Sequence, residues 1–180
     1  MGPSSVAVDP ARPFKPIRIA VLTITDTRDP STDTSGDLLA QRIVAAGHQL
    51  AARTIEKDDA GIIAGRLNAW IDSRVADAII TTGGTGLTGR DVTPEALAQI
   101  ADKHIPGFGE LFRWLSYQSI GTSTVQSRAC AVVARGVYVF ALPGSNGAVK
   151  DGWDGILAEQ LDSRNRPCNF VELMPRLREV

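Results

Sequence analysis

Two cysteines, two histidines and an aromatic content of 6% leave this 180-residue chain short of several familiar chemistries. Cys130 and Cys168 are too few for a disulfide framework and their spacing fits no zinc knuckle, so a cytoplasmic protein is expected. Cys130, inside an apolar run, reads as a small buried hydrophobe. Neither His48 nor His104 has a triad partner nearby, and His48, just after a helix-ending Gly47, is expected in an exposed loop. No stretch nears the roughly 20 apolar residues that span a bilayer, and residues 1–16 lack the apolar centre of a signal peptide. No excess of positive charge exists either: the net charge of -1 argues against a nucleic-acid platform. A hydrolase elbow G-x-S-x-G is missing around Ser145, which sits in Leu142-Pro143-Gly144-Ser145. A Walker loop is missing too, since no glycine precedes Lys-Ser or Lys-Thr.

What is present is alternation. Apolar runs at residues 17–24, 49–55, 76–82, 129–133 and 137–142 read as strands, and helix-like periodicity lies between most of them. That order predicts an α/β domain over residues 17–165, preceded by a proline-rich flexible arm (1–16) and followed by a tail (166–180). The run 17–24 is apolar on both faces and belongs in the interior of a parallel sheet, whereas 49–55 is more polar and belongs near an edge. Ser35 is expected to cap a helix bearing Leu39 and Ile43, and one of Asp58 and Asp59 to cap the next, bearing Ile63, Leu67, Trp70 and Ile71. Thr93 is expected to cap a third, with Pro94 at its first position. Arg135-Gly136 predicts an antiparallel hairpin. The segment holding Phe108, Phe112, Trp114 and Leu115 suits either the core or an interface.

The unusual residues share one topological property, which is that each group follows a strand. The groups are Thr25-Asp26, Lys57-Asp58-Asp59, residues 81–90, and residues 142–146. In an open parallel sheet such loops gather at the carboxyl edge, where ligands bind, so a single cleft is expected. Gly84-Thr85-Gly86-Leu87-Thr88-Gly89 matches G-x-G-x-x-G, yet it follows a later strand and Arg90-Asp91-Val92-Thr93 intervene before the helix that Pro94 opens, which speaks against a dinucleotide fingerprint. It fits a loop that brings backbone N–H groups close to phosphate oxygens. Asp58 and Asp91 beside such a loop would repel an anion unless a cation intervened, and paired carboxylates plus phosphate oxygens are the usual way to hold Mg²⁺. The plainer reading of Asp91 is a helix-start residue, and that of Asp26 a turn residue. Pro143-Gly144-Ser145, ahead of the last long helix, suggests a second phosphate site.

Thr81-Thr82-Gly83-Gly84-Thr85-Gly86, Arg90-Asp91-Val92-Thr93-Pro94-Glu95-Ala96 and Ile105-Pro106-Gly107-Phe108-Gly109-Glu110 resemble the MoaB/MogA family of molybdenum-cofactor biosynthesis proteins. Gly121-Thr122-Ser123-Thr124, Gln126-Ser127-Arg128 and Arg166-Pro167-Cys168-Asn169-Phe170 look more like the MoaB branch. The resemblance implies a three-layer α/β/α molybdopterin-binding fold, self-association to trimers or hexamers, and Mg·ATP-dependent adenylylation of molybdopterin. It implies Asp58 and Asp91 as the catalytic and metal-binding pair. It places Gly83, Gly84, Thr85 and Gly86 on the nucleotide side and Pro143 and Gly144 on the pterin side, and the strand-end positions of Thr82, Asp26 and Ser145 put them in the same site. Ser145-Asn146 departs from the family's more frequent Asn-Pro or Gln-Pro continuation. A binding protein of the same pathway without turnover is the alternative. Arg90 and Lys150 are further cations that could neutralise phosphate charge, although each also suits a solvated surface.

Overall fold

The computed structural model describes residues 8–179. In chain order its principal elements are β1 (Arg18–Ile24), α1 (Thr34–Ala45), β2 (Gln49–Glu56), α2 (Ala60–Asp72), β3 (Ala78–Thr82), α3 (Thr93–Ile100) and β4 (Lys103–His104). There follow α4 (Pro106–Ile120), a 3-10 segment (Gly121–Gln126), β5 (Cys130–Ala134), β6 (Val137–Leu142) and α5 (Asn146–Gly152). A π-helical turn (Trp153–Leu157), α6 (Ala158–Gln160) and α7 (Phe170–Leu173) complete the chain's helices up to a last 3-10 turn, Met174–Arg176.

The strands form one sheet in the order β2-β1-β3-β6-β5-β4. β2, β1, β3 and β6 run parallel, and β5 and β4 join by antiparallel pairing. Alternation along β1 explains the layers. Ile19 and Val21 face α1, α4 and α5, while Ala20, Leu22 and Ile24 face α2 and α3. Both faces are covered, as a β-branched strand without polar alternation requires. The interior position of β1 and the edge position of β2 agree with the sequence reading. The turn Arg135-Gly136 has φ of 47° and 83°, so both central residues are left-handed, which matches the twist of a two-residue hairpin.

Three local expectations are corrected. Asp33, not Ser35, caps α1: its carboxylate accepts the Gly36 N–H at 3.0 Å, and it also takes the Thr23 hydroxyl at 2.7 Å and Arg53 at 2.8 Å. Ser35 lies inside the first turn, where its hydroxyl accepts from Arg28. Thr93 does not cap α3. It is the first helical residue, and its hydroxyl donates to the Gly83 carbonyl at 2.9 Å. His48 is not exposed: its Nδ1 accepts the Ile17 N–H at 3.3 Å between the rings of Phe14 and Trp153, and burial lowers its pKa.

The chain ends pack together. Asp9 and Lys15 hydrogen-bond to Arg164 and Ser163, and the Phe170 ring lies 4.8 Å from that of Tyr138, whose hydroxyl donates to the Phe170 carbonyl. Residues 1–7 of the arm lie outside the described residues. On α4, Phe108 and Phe112 enter the core, whereas Trp114, Tyr117 and Ile120 are exposed, together with Val125 beyond the helix. Among the described residues no helix is long and apolar enough to cross a membrane.

Candidate functional site

β1 and β3 are neighbours whose connections leave to opposite sides of the sheet, toward β2 and toward β4. A crevice opens at the carboxyl end of such a pair, and here the glycine loop fills its rim. Gly83 has φ +109°, donates its N–H to the Leu142 carbonyl at 2.9 Å and lies against the Ile24 carbonyl so closely that no Cβ fits. Gly84 has φ +66°, and a Cβ there would meet Asp58 Oδ1 at 2.9 Å. A Cβ on Gly86 would meet Asp91 Oδ2 at 2.7 Å. These glycines are therefore close-approach residues, with two aspartates seated directly against the backbone.

The three aspartates picked out from the sequence meet here. Asp26 accepts the Asp58 N–H at 3.3 Å through one oxygen and pairs with Arg90 through the other, at 2.6 Å. Arg90 is thus engaged within the site, while Lys150 is exposed. Asp91 is fastened by Thr88, whose hydroxyl and N–H both donate to Oδ2, at 2.7 and 2.9 Å. The Thr88 hydroxyl is the main cause holding the Asp91 carboxyl below the usual range. Burial opposes it, and the Thr88 and Gly86 amides and the Arg128 charge add to it in turn. Asp58 goes the other way. Burial first, then the charges of Asp26 and Asp91, raise its pKa, against the weaker pull of Arg90 and the Asp26 backbone. No side-chain donor reaches the Asp58 carboxylate among the described residues. Asp59 is the helix cap of the pair, accepting the Ile62 N–H at 2.9 Å.

On the other side of the loop, Thr82 donates to the Pro143 carbonyl at 3.1 Å and Gly144 abuts the Gly83 backbone. Thr85, Gly86, Pro143 and Ser145 line a cleft of about 260 Å³, walled by Phe112 of α4 and Asp151 of α5. Ser145 caps α5 through the Ala148 N–H, at 3.1 Å. Asp26, Asp58 and Asp91 do not line this cleft, so the glycine loop divides a carboxylate-lined side from a more apolar one. A larger depression, about 530 Å³, opens around Arg74, Lys103 and Arg178 and shares no residue with the glycine loop.

The arrangement suits an anionic substrate accompanied by a divalent cation. Among the described residues no three His, Cys, Asp or Glu side chains form a preformed metal cage. Asp58, raised by burial and then by like charge, and Asp91 beside it are the donors present. Two carboxylates completed by substrate oxygens and water suit Mg²⁺, which sheds its water reluctantly.

Two residues the sequence reading left without a role bind this region together. Arg28 donates to Ser35 and to the Gly144 carbonyl, at 3.0 and 2.9 Å, tying the loop after β1 to that after β6. Arg128, just before β5, donates to the carbonyls of Gly86 and Asp91. An arginine has no local sequence signature for such contacts, since its partners lie 42 and 37 residues away.

Comparison with known proteins agrees with this geometry. The family described as "Probable molybdopterin binding domain" matches residues 20–163. The chain belongs to this family. The molybdenum cofactor biosynthesis protein B of Escherichia coli strain K12 is 47% identical over 157 residues, covering 87% of this chain and 92% of that protein. A crystal structure of a molybdenum cofactor biosynthesis protein B superposes with TM-score 0.83 at 38% identity, covering 92% of this chain and 98% of that one. The tungsten cofactor synthesizing protein MoaB from Pyrococcus furiosus superposes with TM-score 0.70 at 36% identity, covering 81% and 92%. These relatives agree with the MoaB-branch resemblance, and the six-stranded mixed sheet between helical layers is the fold they share with this family member.

Proposed function

We propose that this protein acts in molybdenum cofactor biosynthesis by adenylylating molybdopterin at the expense of Mg·ATP. The observation that carries the reading is the seating of Asp58 and Asp91 against the bare backbone of Gly84 and Gly86, beside a cleft lined by Thr85, Gly86, Pro143 and Ser145. The names of the relatives support the pathway, and the family description supports the pterin ligand.

In the proposed reaction an oxygen of molybdopterin's terminal phosphate attacks the α-phosphorus of ATP. A new P–O–P linkage forms, the bond between the α-phosphorus and the bridging oxygen breaks, and pyrophosphate leaves with the electron pair. A phosphate nucleophile is already ionised near neutral pH, so no strong general base is needed, and the lack of a histidine in the site is consistent with that. The protein's tasks are alignment and accommodation of charge. Thr82, Gly83, Gly84, Thr85 and Gly86 offer backbone to the nucleotide, with Asp26 holding Arg90 nearby. Pro143, Gly144 and Ser145 form the pterin side. Asp58 and Asp91 would hold Mg²⁺, which screens the charge of the phosphate oxygens.

Incubating the protein with molybdopterin, ATP and Mg²⁺ tests this. Formation of adenylyl-molybdopterin and pyrophosphate is expected. Tight pterin binding with no AMP conjugate would replace the reading with a binding role in the same pathway. The same reading includes a cytoplasmic protein that self-associates as a trimer or hexamer. The exposed Trp114, Tyr117, Ile120 and Val125 supply an apolar surface for that contact, and light scattering reads its stoichiometry.

A further inference from the structure

The glycine loop holds itself only at its far end, where the Thr88 hydroxyl and N–H donate to Asp91 and the Asp91 N–H donates to the Thr88 carbonyl. Residues 86–91 lie outside helix and strand, and Leu87, Thr88, Gly89 and Arg90 are exposed. Such a segment would sample many conformations, yet Asp91 at its far end must stay against Gly86 for the carboxylates to face one another.

One guanidinium spans the two legs of this loop. Arg128 Nε donates to the Gly86 carbonyl at 2.8 Å, and one terminal nitrogen donates to the Asp91 carbonyl at 2.6 Å. The backbone N–H of Arg128 donates to the Thr85 carbonyl at 2.9 Å. Glu95, in the first turn of α3, holds the same fork from the other side, through contacts of both its oxygens with the two terminal nitrogens. Each charge favours the other's ionised form: the hydrogen bond to Arg128 lowers the Glu95 pKa and the bond to Glu95 raises that of Arg128. The fork is planar and rigid, so the separation of its nitrogens sets the separation of the Gly86 and Asp91 carbonyls. A lysine, with a single point-like ammonium, cannot span both while also meeting Glu95.

We infer that Arg128 is a positioning residue, a clip that closes the 86–91 loop and sets Asp91 against Gly86, with Glu95 orienting the fork. This rests on the proposed role of Asp91 for its catalytic consequence, but not for its structural one. Three variants separate the two, Arg128→Ala, Arg128→Lys and Glu95→Gln, each assayed well below its melting temperature. Amide hydrogen exchange at residues 86–91 should accelerate about tenfold or more in Arg128→Ala, the scale of lost hydrogen bonds to a charged group, while α1 and β1 keep their protection. The Mg²⁺ concentration giving half-maximal binding of a non-hydrolysable ATP analogue should rise by a similar factor, about tenfold. Arg128→Lys should recover little of either, and millimolar guanidinium added to Arg128→Ala should restore part of both. Glu95→Gln should show the same changes in smaller measure.

Unchanged exchange at 86–91 in Arg128→Ala overturns the clip whatever the activity of the wild-type protein, and so does a lysine variant equal to wild type. Exchange that accelerates across the whole chain also overturns it, as the sign of a merely structural arginine. If the loop loosens as expected but the wild-type protein neither binds the nucleotide nor forms the conjugate, the clip stands and the adenylylation reading falls.

Discussion

Asp58 and Asp77 stand at opposite ends of the sheet, and the protein treats them in opposite ways. Asp77, ahead of β3, is raised by burial, but Arg18 overcomes this with hydrogen bonds to both its oxygens, at 2.8 and 2.9 Å, and brings the carboxyl below its usual range. The fork is anchored in turn by the Arg74 carbonyl. Asp58, after β2, is also raised by burial, but its neighbours are Asp26 and Asp91, which raise it further. One end of the sheet satisfies its carboxylate, and the other leaves Asp58 crowded by like charge against bare glycine backbone. Uncompensated charge lowers stability, and the proposed binding site stands at the end of the sheet where that cost is borne.

Activity separates the two ends of the sheet by the widest margin. Asp91→Asn and Asp58→Asn should each lower the rate of AMP-conjugate formation by about 100-fold or more, the scale of losing one electrostatic contributor to a phosphoryl transition state. Asp77→Asn should change it less than about twofold, because a lost surface ion pair acts on stability. Product assays on the three variants decide this, and an Asp77→Asn loss as deep as the other two would erase the distinction between the ends.

The glycines sharpen the same contrast. Gly83→Ala should cost about 2 kcal/mol, because the left-handed φ and the Ile24 carbonyl leave no place for a methyl group. Gly65 lies on the exposed side of α2, and a Cβ there would meet nothing within 4 Å. Changing it to Ala should therefore gain about 0.5–1 kcal/mol. Urea midpoints of the two variants should move in opposite directions, and equal shifts would mean that the glycine loop is not held as tightly as its contacts imply.

Much of this contrast was legible in the residues. Strands at the sheet's interior are apolar runs without polar alternation, the loops after them carry Asp26, Gly83, Asp91 and Pro143, and the loop after the edge strand β2 carries Asp58. Parallel topology alone then brings them to one edge. Asp59 as the cap left Asp58 free, a division that local helix chemistry anticipates. The failures share a cause. Asp33 displaced Ser35 as a cap because Thr23 and Arg53, 10 and 20 residues away, hold its carboxylate in place. Thr93 was drawn from capping by the Gly83 carbonyl, and His48 was buried by Phe14 and Trp153. Each depends on partners brought close only by the finished fold, and no local period encodes them.

The stability of the two carboxylates is the next test. Asp77→Asn should destabilise by about 1 kcal/mol, reduced from the full value of a bidentate pair because both side chains remain partly exposed to solvent. Asp58→Asn should not destabilise and should gain a few tenths of a kcal/mol, about the scale of relieving like-charge crowding. A loss on Asp58→Asn comparable with that on Asp77→Asn would mean that Asp58 makes a stabilising contact in the folded protein after all.

The smallest effect, and the most discriminating, lies in the pH dependence of those two differences. Asp77 has a folded pKa below that of the unfolded chain, so its contribution is complete above the unfolded value, about 4, and is lost as pH falls below it. Asp58 has a folded pKa above the unfolded value. Its ionised form therefore costs stability at neutral pH, and that cost is relieved as pH falls through the folded value toward about 4. The advantage of Asp58→Asn over wild type should accordingly begin to shrink while pH is still above about 4, whereas the deficit of Asp77→Asn should stay nearly whole to that point and close only below it. Denaturation midpoints taken across the acid range should show the two differences closing in that order. Closure in the reverse order would mean that Asp58 is the paired carboxylate and Asp77 the strained one, and the assignment of binding to the carboxyl edge would lose its electrostatic basis.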